Sequence, residues 1–79
     1  MDEVMLQKLS EIFSYVFEYG EVLNLNTKRE DIPKWDSLQH VALVESLENT
    51  FNIHISMDEM IEMQSIRDII NVLSRHDIL

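Results

Sequence analysis

Residues 35–51 read Trp35-Asp36-Ser37-Leu38-Gln39-His40-Val41-Ala42-Leu43-Val44-Glu45-Ser46-Leu47-Glu48-Asn49-Thr50-Phe51, and this stretch decides the fold. Leu38, Val41, Ala42, Val44, Leu47 and Phe51 recur at the period of an amphipathic helix, which predicts a helix from about Ser37 to Phe51. Asp36 is placed to cap it. Gln39 is placed to reach back, in an Asp-x-x-Gln variant of the capping box. With Asp36 accepting the first backbone N–H bonds, the Ser37 hydroxyl stays free beside unpaired N–H groups and the positive end of the helix dipole. Such a position suits a phosphate. On local pattern alone, Ser37 reads first as an ordinary capping serine.

Working outward, Met5, Leu6, Leu9, Ile12, Phe13, Val16 and Phe17 form one stripe and predict a first helix from about Glu3 to Tyr19. Gly20 is placed to end it in the left-handed conformation. From Glu21 to Asp36 the period is lost. Asn24, Asn26 and Thr27 favour turns, and Pro33 biases Ile32 away from helix. So long a connection needs pins, and Leu25, Ile32 and Trp35 are the apolar candidates. Ser56-Met57-Asp58-Glu59 is a capping box opening a short helix to about Met63. Ser65-Ile66-Arg67-Asp68 opens a last helix with Ile66, Ile69, Ile70 and Leu73 on one face. The expectation is an all-α fold, a four-helix bundle with a long first loop and a short third helix, residues 1–79 forming a single domain. Its core would combine Leu9, Phe13, Val16, Leu43, Leu47, Phe51, Ile55, Ile66, Ile70 and Leu73.

Composition narrows the class. With 79 residues and no cysteine, the chain has neither disulfides nor a thiolate metal site. Apolar content of 46% argues against intrinsic disorder. No apolar run approaches the ~18 residues that span a bilayer. The start Met1-Asp2-Glu3 lacks the basic residues of a secretion signal, so a cytoplasmic location and a monomer are the default expectations. Fifteen acidic against six basic residues give a net charge of −9, which disfavours nucleic acid and anionic membrane surfaces as partners. Two readings of that charge stay open: docking to basic patches on proteins, or solubility alone.

Asp36-Ser37-Leu38, followed by Val41, Leu43, Val44, Leu47, Glu48 and Phe51, then Ile55, an acidic short helix and Ile66, resembles an acyl carrier protein over essentially the whole chain. The longer string Asp31-Ile32-x-x-Trp35-Asp36-Ser37-Leu38-x-His40 is similar to free-standing specialised carriers served by dedicated activating enzymes, rather than to the fatty-acid synthase carrier. The resemblance implies an acyl-carrier-like bundle that is not an enzyme. It implies a 4′-phosphopantetheine arm, drawn from coenzyme A, on Ser37, holding an acyl or aminoacyl group as a thioester. Its partners would be a phosphopantetheinyl transferase, an acyl- or aminoacyl-activating enzyme and a downstream transferase. By the same resemblance, Asp36, Leu38, Val41, Glu45 and Glu48 on the second helix would form a docking surface with Asp58, Glu59 and Met63 on the third. Gln39, Ala42, Glu45 and Asn49 depart from the common fatty-acid pattern, which implies partners other than the ordinary fatty-acid synthase enzymes.

The alternative is an unmodified acidic helical adaptor that binds basic protein partners. Other chemistries find no support. His40, His54 and His76 lack metal-ligand spacing. Asp36, Ser37 and His40 lie on one turn, where a base cannot sit between nucleophile and orienting acid. No Asp-rich calcium loop is present. His40 reads as a surface histidine one turn after Asp36, with which it can pair, and Trp35 as a loop anchor. The net charge of −9 predicts a melting temperature that rises with ionic strength as screening eases self-repulsion. Thermal melts across a salt series check this, and an indifferent melting temperature would contradict it.

Overall fold

Periodicity becomes helix at four places in the computed structural model, which describes residues 3–78. Helix α1 spans Glu3–Phe17, α2 Ser37–Phe51, α3 Met57–Glu62 and α4 Ile66–Arg75. The fold is all-α, as expected, with a long first connection and a short third helix. One face of each long helix turns inward. Leu9, Phe13 and Phe17 of α1 meet Leu43 and Leu47 of α2 and Ile66, Ile69 and Leu73 of α4. Each such side chain contributes roughly 1.5–3 kcal/mol by leaving water. Phe51 and Ile70, expected in the core, are only partly buried at its margin, whereas Met5, Ile12 and Val72 are inside.

Helix ends show where short-range chemistry decided the structure. Asp36, Ser56 and Ser65 cap α2, α3 and α4, each accepting a backbone N–H bond three residues on, and Ser56 and Glu59 complete a reciprocal capping box. Asn52 closes α2 in the left-handed conformation at φ 54°. Gly20 does not end α1. Glu18 takes the left-handed position instead, at φ 54°, and Tyr19 N–H reaches back to the Phe13 carbonyl, so the helix stops two residues short of Tyr19. The exposed Glu18 carboxylate then pairs with Lys34 of the first loop. No positive φ is required of Gly20.

The first loop is built rather than slack. Asn24 and Thr27 form a turn through their side chains, with Asn24 N–H donating to Thr27 Oγ1 at 3.1 Å and Asn26 N–H to Asn24 Oδ1 at 2.8 Å. Arg29–Asp31 adds a single 3-10 turn. Leu23, Ile32 and Trp35 are buried, while Leu25 is a partial pin. Backbone pairing also holds the loop to the α3–α4 junction. Arg29 N–H donates to the Gln64 carbonyl and Ile66 N–H to the Thr27 carbonyl, both at 2.9 Å, around an isolated antiparallel bridge between Lys28 and Ser65. The extended partner therefore lies far along the chain, where local reading does not look.

Glu59 ties α3 to α4. Its carboxylate accepts from Ser56 N–H at 3.0 Å and lies 3.1 Å from His76 Nε2. The Ser56 backbone bond above all, then His76 and the Ser56 hydroxyl, hold its pKa below the ordinary 4.5. A lowered folded pKa contributes stability above the unfolded value and loses it as pH falls through the folded one. Comparing denaturation of the protein with that of Glu59→Gln, the stability difference should therefore shrink as pH drops below about 4.5. A pH-independent difference would contradict the assignment.

Candidate functional site

The N-terminus of α2 divides its duties among neighbouring residues. Asp36 is extended, at φ −97° and ψ −175°, and its carboxylate accepts Gln39 N–H at 2.8 Å. Its carbonyl accepts His40 N–H, also at 2.8 Å. Ser37 is the first helical residue and is exposed, and its hydroxyl is engaged in no hydrogen bond among the described residues. No acid lies in the first turn of α2, so the free N–H groups of that turn still point their partial positive charge outward. The capping duty expected of Asp36 is thus confirmed, and with it the freedom of Ser37.

Gln39 does not reach back. Its side-chain amide donates instead to the Val16 carbonyl at 2.7 Å, satisfying an orphan acceptor in the last turn of α1 and joining the two helices. His40 is not a surface residue either. It is buried, at 7% exposure, and Trp35 Nε1–H donates to its Nδ1 at 2.8 Å. With Nδ1 accepting, the proton resides on Nε2, which donates to the Met60 carbonyl of α3 at 2.7 Å. The expected pairing with Asp36 is replaced because the imidazole turns inward to two partners rather than outward to one. Trp35 anchors the loop as expected, stacked on Phe17 with ring centroids 5.1 Å apart and edge-on to Phe13 at 5.3 Å.

Beside Ser37 opens a cleft of about 220 Å3 between the first loop, α2 and α3. Ser37, His40 and Val41 form one wall, Arg29 and Gln64 another, and Met60 and Ile61 the third. Val41 and Ile61, which line it, are exposed at 45% and 63%, and Leu38 of α2 and Met57 of α3 are exposed as well, at 76% and 67%. Asp36, Glu45 and Asp58 are exposed as well. Glu48 and Glu59 are half-buried and already bonded, to Ile55 N–H at 2.8 Å and to Ser56 and His76 respectively.

Met63 is the clear correction to the expected docking surface. It is fully buried, because the chain turns at the end of α3 and carries this side chain into the core. Reading missed Met57 and Ile61, whose spacing marks one face of a helix too short to bury both sides. Arg29 and Gln64 were also missed, since they reach the site only through the loop's pairing with the α3–α4 junction.

Residues 35–73 match the family model described as a phosphopantetheine attachment site. The match supports a carrier domain of that family. No curated protein and no solved structure matches the chain significantly. Carrier domains of this kind are not enzymes, and their cofactor is covalently attached 4′-phosphopantetheine. The residues present fit such an arm: a free hydroxyl at a helix N-terminus, a guanidinium for a phosphate, and an open cleft with mixed polar and apolar walls.

The carrier domain's site depends on its buried ring pair. Trp35→Phe removes the donor to His40 Nδ1 and leaves that acceptor buried without a partner, which should cost about 1–3 kcal/mol beyond the lost packing. Chemical denaturation measures the cost. Nitrogen-resolved NMR of the unaltered protein should show the Nε2–H tautomer of His40, and the Nδ1–H tautomer would contradict the hydrogen-bond assignment.

Proposed function

We propose that Ser37 receives the 4′-phosphopantetheine arm and that the chain works as a free-standing carrier for a specialised biosynthetic pathway. The arm's terminal thiol holds an acyl or aminoacyl group as a thioester. The single observation behind this reading is the exposed Ser37 hydroxyl, left uncommitted because Asp36 carries the cap, inside the stretch that matches the family. In the attachment step, Ser37 Oγ attacks the phosphorus of coenzyme A that bears the pantetheine. An Oγ–P bond forms, the pyrophosphate P–O bond breaks, adenosine 3′,5′-bisphosphate leaves, and the serine proton passes to a base of the phosphopantetheinyl transferase. The added negative charge then lies at the positive end of α2, an interaction of about 0.3–1 kcal/mol.

The chain's other surface residues serve partner enzymes, which are the transferase, an acyl- or aminoacyl-activating enzyme and a downstream transferase. Leu38 and Val41 provide apolar contact next to the arm, extended by Met57 and Ile61, with Asp36, Glu45 and Asp58 as flanking charges. Glu48 and Glu59 act mainly through the bonds that shape this surface. We place the protein in the cytoplasm as a monomer; no helix among the described residues is long and apolar enough to cross a membrane.

Incubation with coenzyme A and a broad-specificity phosphopantetheinyl transferase should add the mass of one arm to the protein and none to Ser37→Ala. That substitution should leave stability within about 0.5 kcal/mol, since the hydroxyl bonds nothing. Absence of a mass gain on the unaltered protein overturns the carrier reading and favours the unmodified adaptor.

A further inference from the structure

Three of the six basic residues of this acidic chain have charged or aromatic partners. Lys34 pairs with Glu18 and Arg75 with Glu62, and Lys8 lies over the Phe51 ring at 5.7 Å. Arg29 differs. Its side chain meets only neutral acceptors, with Nε–H donating to the Trp35 carbonyl at 3.2 Å and Nη1–H to Gln64 Oε1 at 3.4 Å. Among the described residues it has no carboxylate partner, although the chain holds 15 acids. Its backbone is fixed too, N–H to the Gln64 carbonyl at 2.9 Å and carbonyl to Ile32 N–H at 3.1 Å. Gln64, which orients the guanidinium, is itself held by its amide bond to the Ile61 carbonyl at 3.0 Å. The result is a pre-oriented, unneutralised cation lining the cleft that Ser37 also lines.

We propose that Arg29 binds the phosphodiester of the arm, fixing the first segment of the tether along the cleft; this rests on Ser37 being the attachment residue. Both Nη2 donors are free, and a planar guanidinium matches two phosphate oxygens as an ammonium does not. The neutral acceptors at Trp35 and Gln64 orient the group without neutralising it. A surface carboxylate in their place would compete with the phosphate. The tether's root is therefore held between the N–H groups of α2 and Arg29 of the first loop, while its distal part stays free to visit partner enzymes. Arg29 acts as a binding and positioning residue and takes no part in bond making.

The test compares nitrogen-labelled protein before and after transfer of the arm from coenzyme A, with attachment confirmed by intact mass. Attachment should shift the Arg29 Nε–H resonance well beyond those of Arg67 and Arg75. The phosphorus resonance of the arm should differ between the unaltered protein and Arg29→Gln, and added salt should move the former toward the latter. Arg29→Lys, which keeps the charge, should restore the salt dependence, a response that a purely structural role in the loop would not produce. An attached arm with an unmoved Arg29 Nε–H resonance and no phosphorus difference overturns the Arg29 assignment while leaving the carrier reading intact. Should Arg29→Gln fail to fold, the shift in the unaltered protein decides alone. No mass gain on the unaltered protein removes both.

Discussion

The hydrogen bond from the Trp35 indole to His40 is the constraint on which the site depends. Through it the first loop grips α2, and through the His40 bond to the Met60 carbonyl α2 grips α3. Indole and imidazole lie nearly parallel, 19° apart, with centroids at 6.1 Å, and continue the ring cluster of Phe13 and Phe17 into the site. Buried polar atoms must find partners, and this chain of donors and acceptors gives each one. A hydrophobic pair in the same place would pack, yet it would set no angle between loop and helix. Because Trp35 is fixed, Asp36 next to it is delivered to the cap. Because Asp36 caps, Ser37 faces solvent with its hydroxyl unspent.

Residues 35–40 thus distribute structural work so that the serine does none. Trp35 and His40 enter the core, Asp36 closes the helix start, Gln39 bonds the end of α1, and Leu38 stands exposed beside Ser37. The Ser37 hydroxyl is free because serine stands one residue past the cap position, where its oxygen would have accepted a backbone N–H. Here it is a consequence of the neighbours' commitments and not of any property of serine itself.

What local pattern could reveal follows the range of the forces involved. Helix extents and the caps at Asp36, Ser56 and Ser65 rest on neighbours within a turn, and α2 begins and ends where its apolar period says. Gln39, His40 and Met63 were misread because their partners, Val16, Met60 and the core, lie across the tertiary fold. For Gln39 the same side chain had a plausible local bond and a distant one, and the distant carbonyl, at a helix end, had greater need of a donor. Glu18 displaced Gly20 as the helix stop because an exposed residue tolerates the left-handed conformation at a cost of roughly 1–2 kcal/mol when neighbouring bonds hold it there. Arg29 was silent in the sequence because nothing within the loop announces its pairing with Gln64.

Electrostatics makes the placement of Arg29 matter. At a net charge of −9, adding a phosphodiester anywhere on this surface works against the overall field. At physiological salt, however, charges beyond about 8 Å are largely screened, so the immediate surroundings decide the local cost. Around Ser37 those surroundings are the N-terminal end of the α2 dipole, where the Asp36 carboxylate takes one backbone N–H, and a guanidinium without a carboxylate partner. Apart from Asp36, several of the acids that make the domain strongly negative are absorbed in caps and ion pairs such as Glu59 with Ser56 and His76, and Glu62 with Arg75. An acidic protein thus keeps one guanidinium on the same cleft that its uncommitted serine at the α2 start lines.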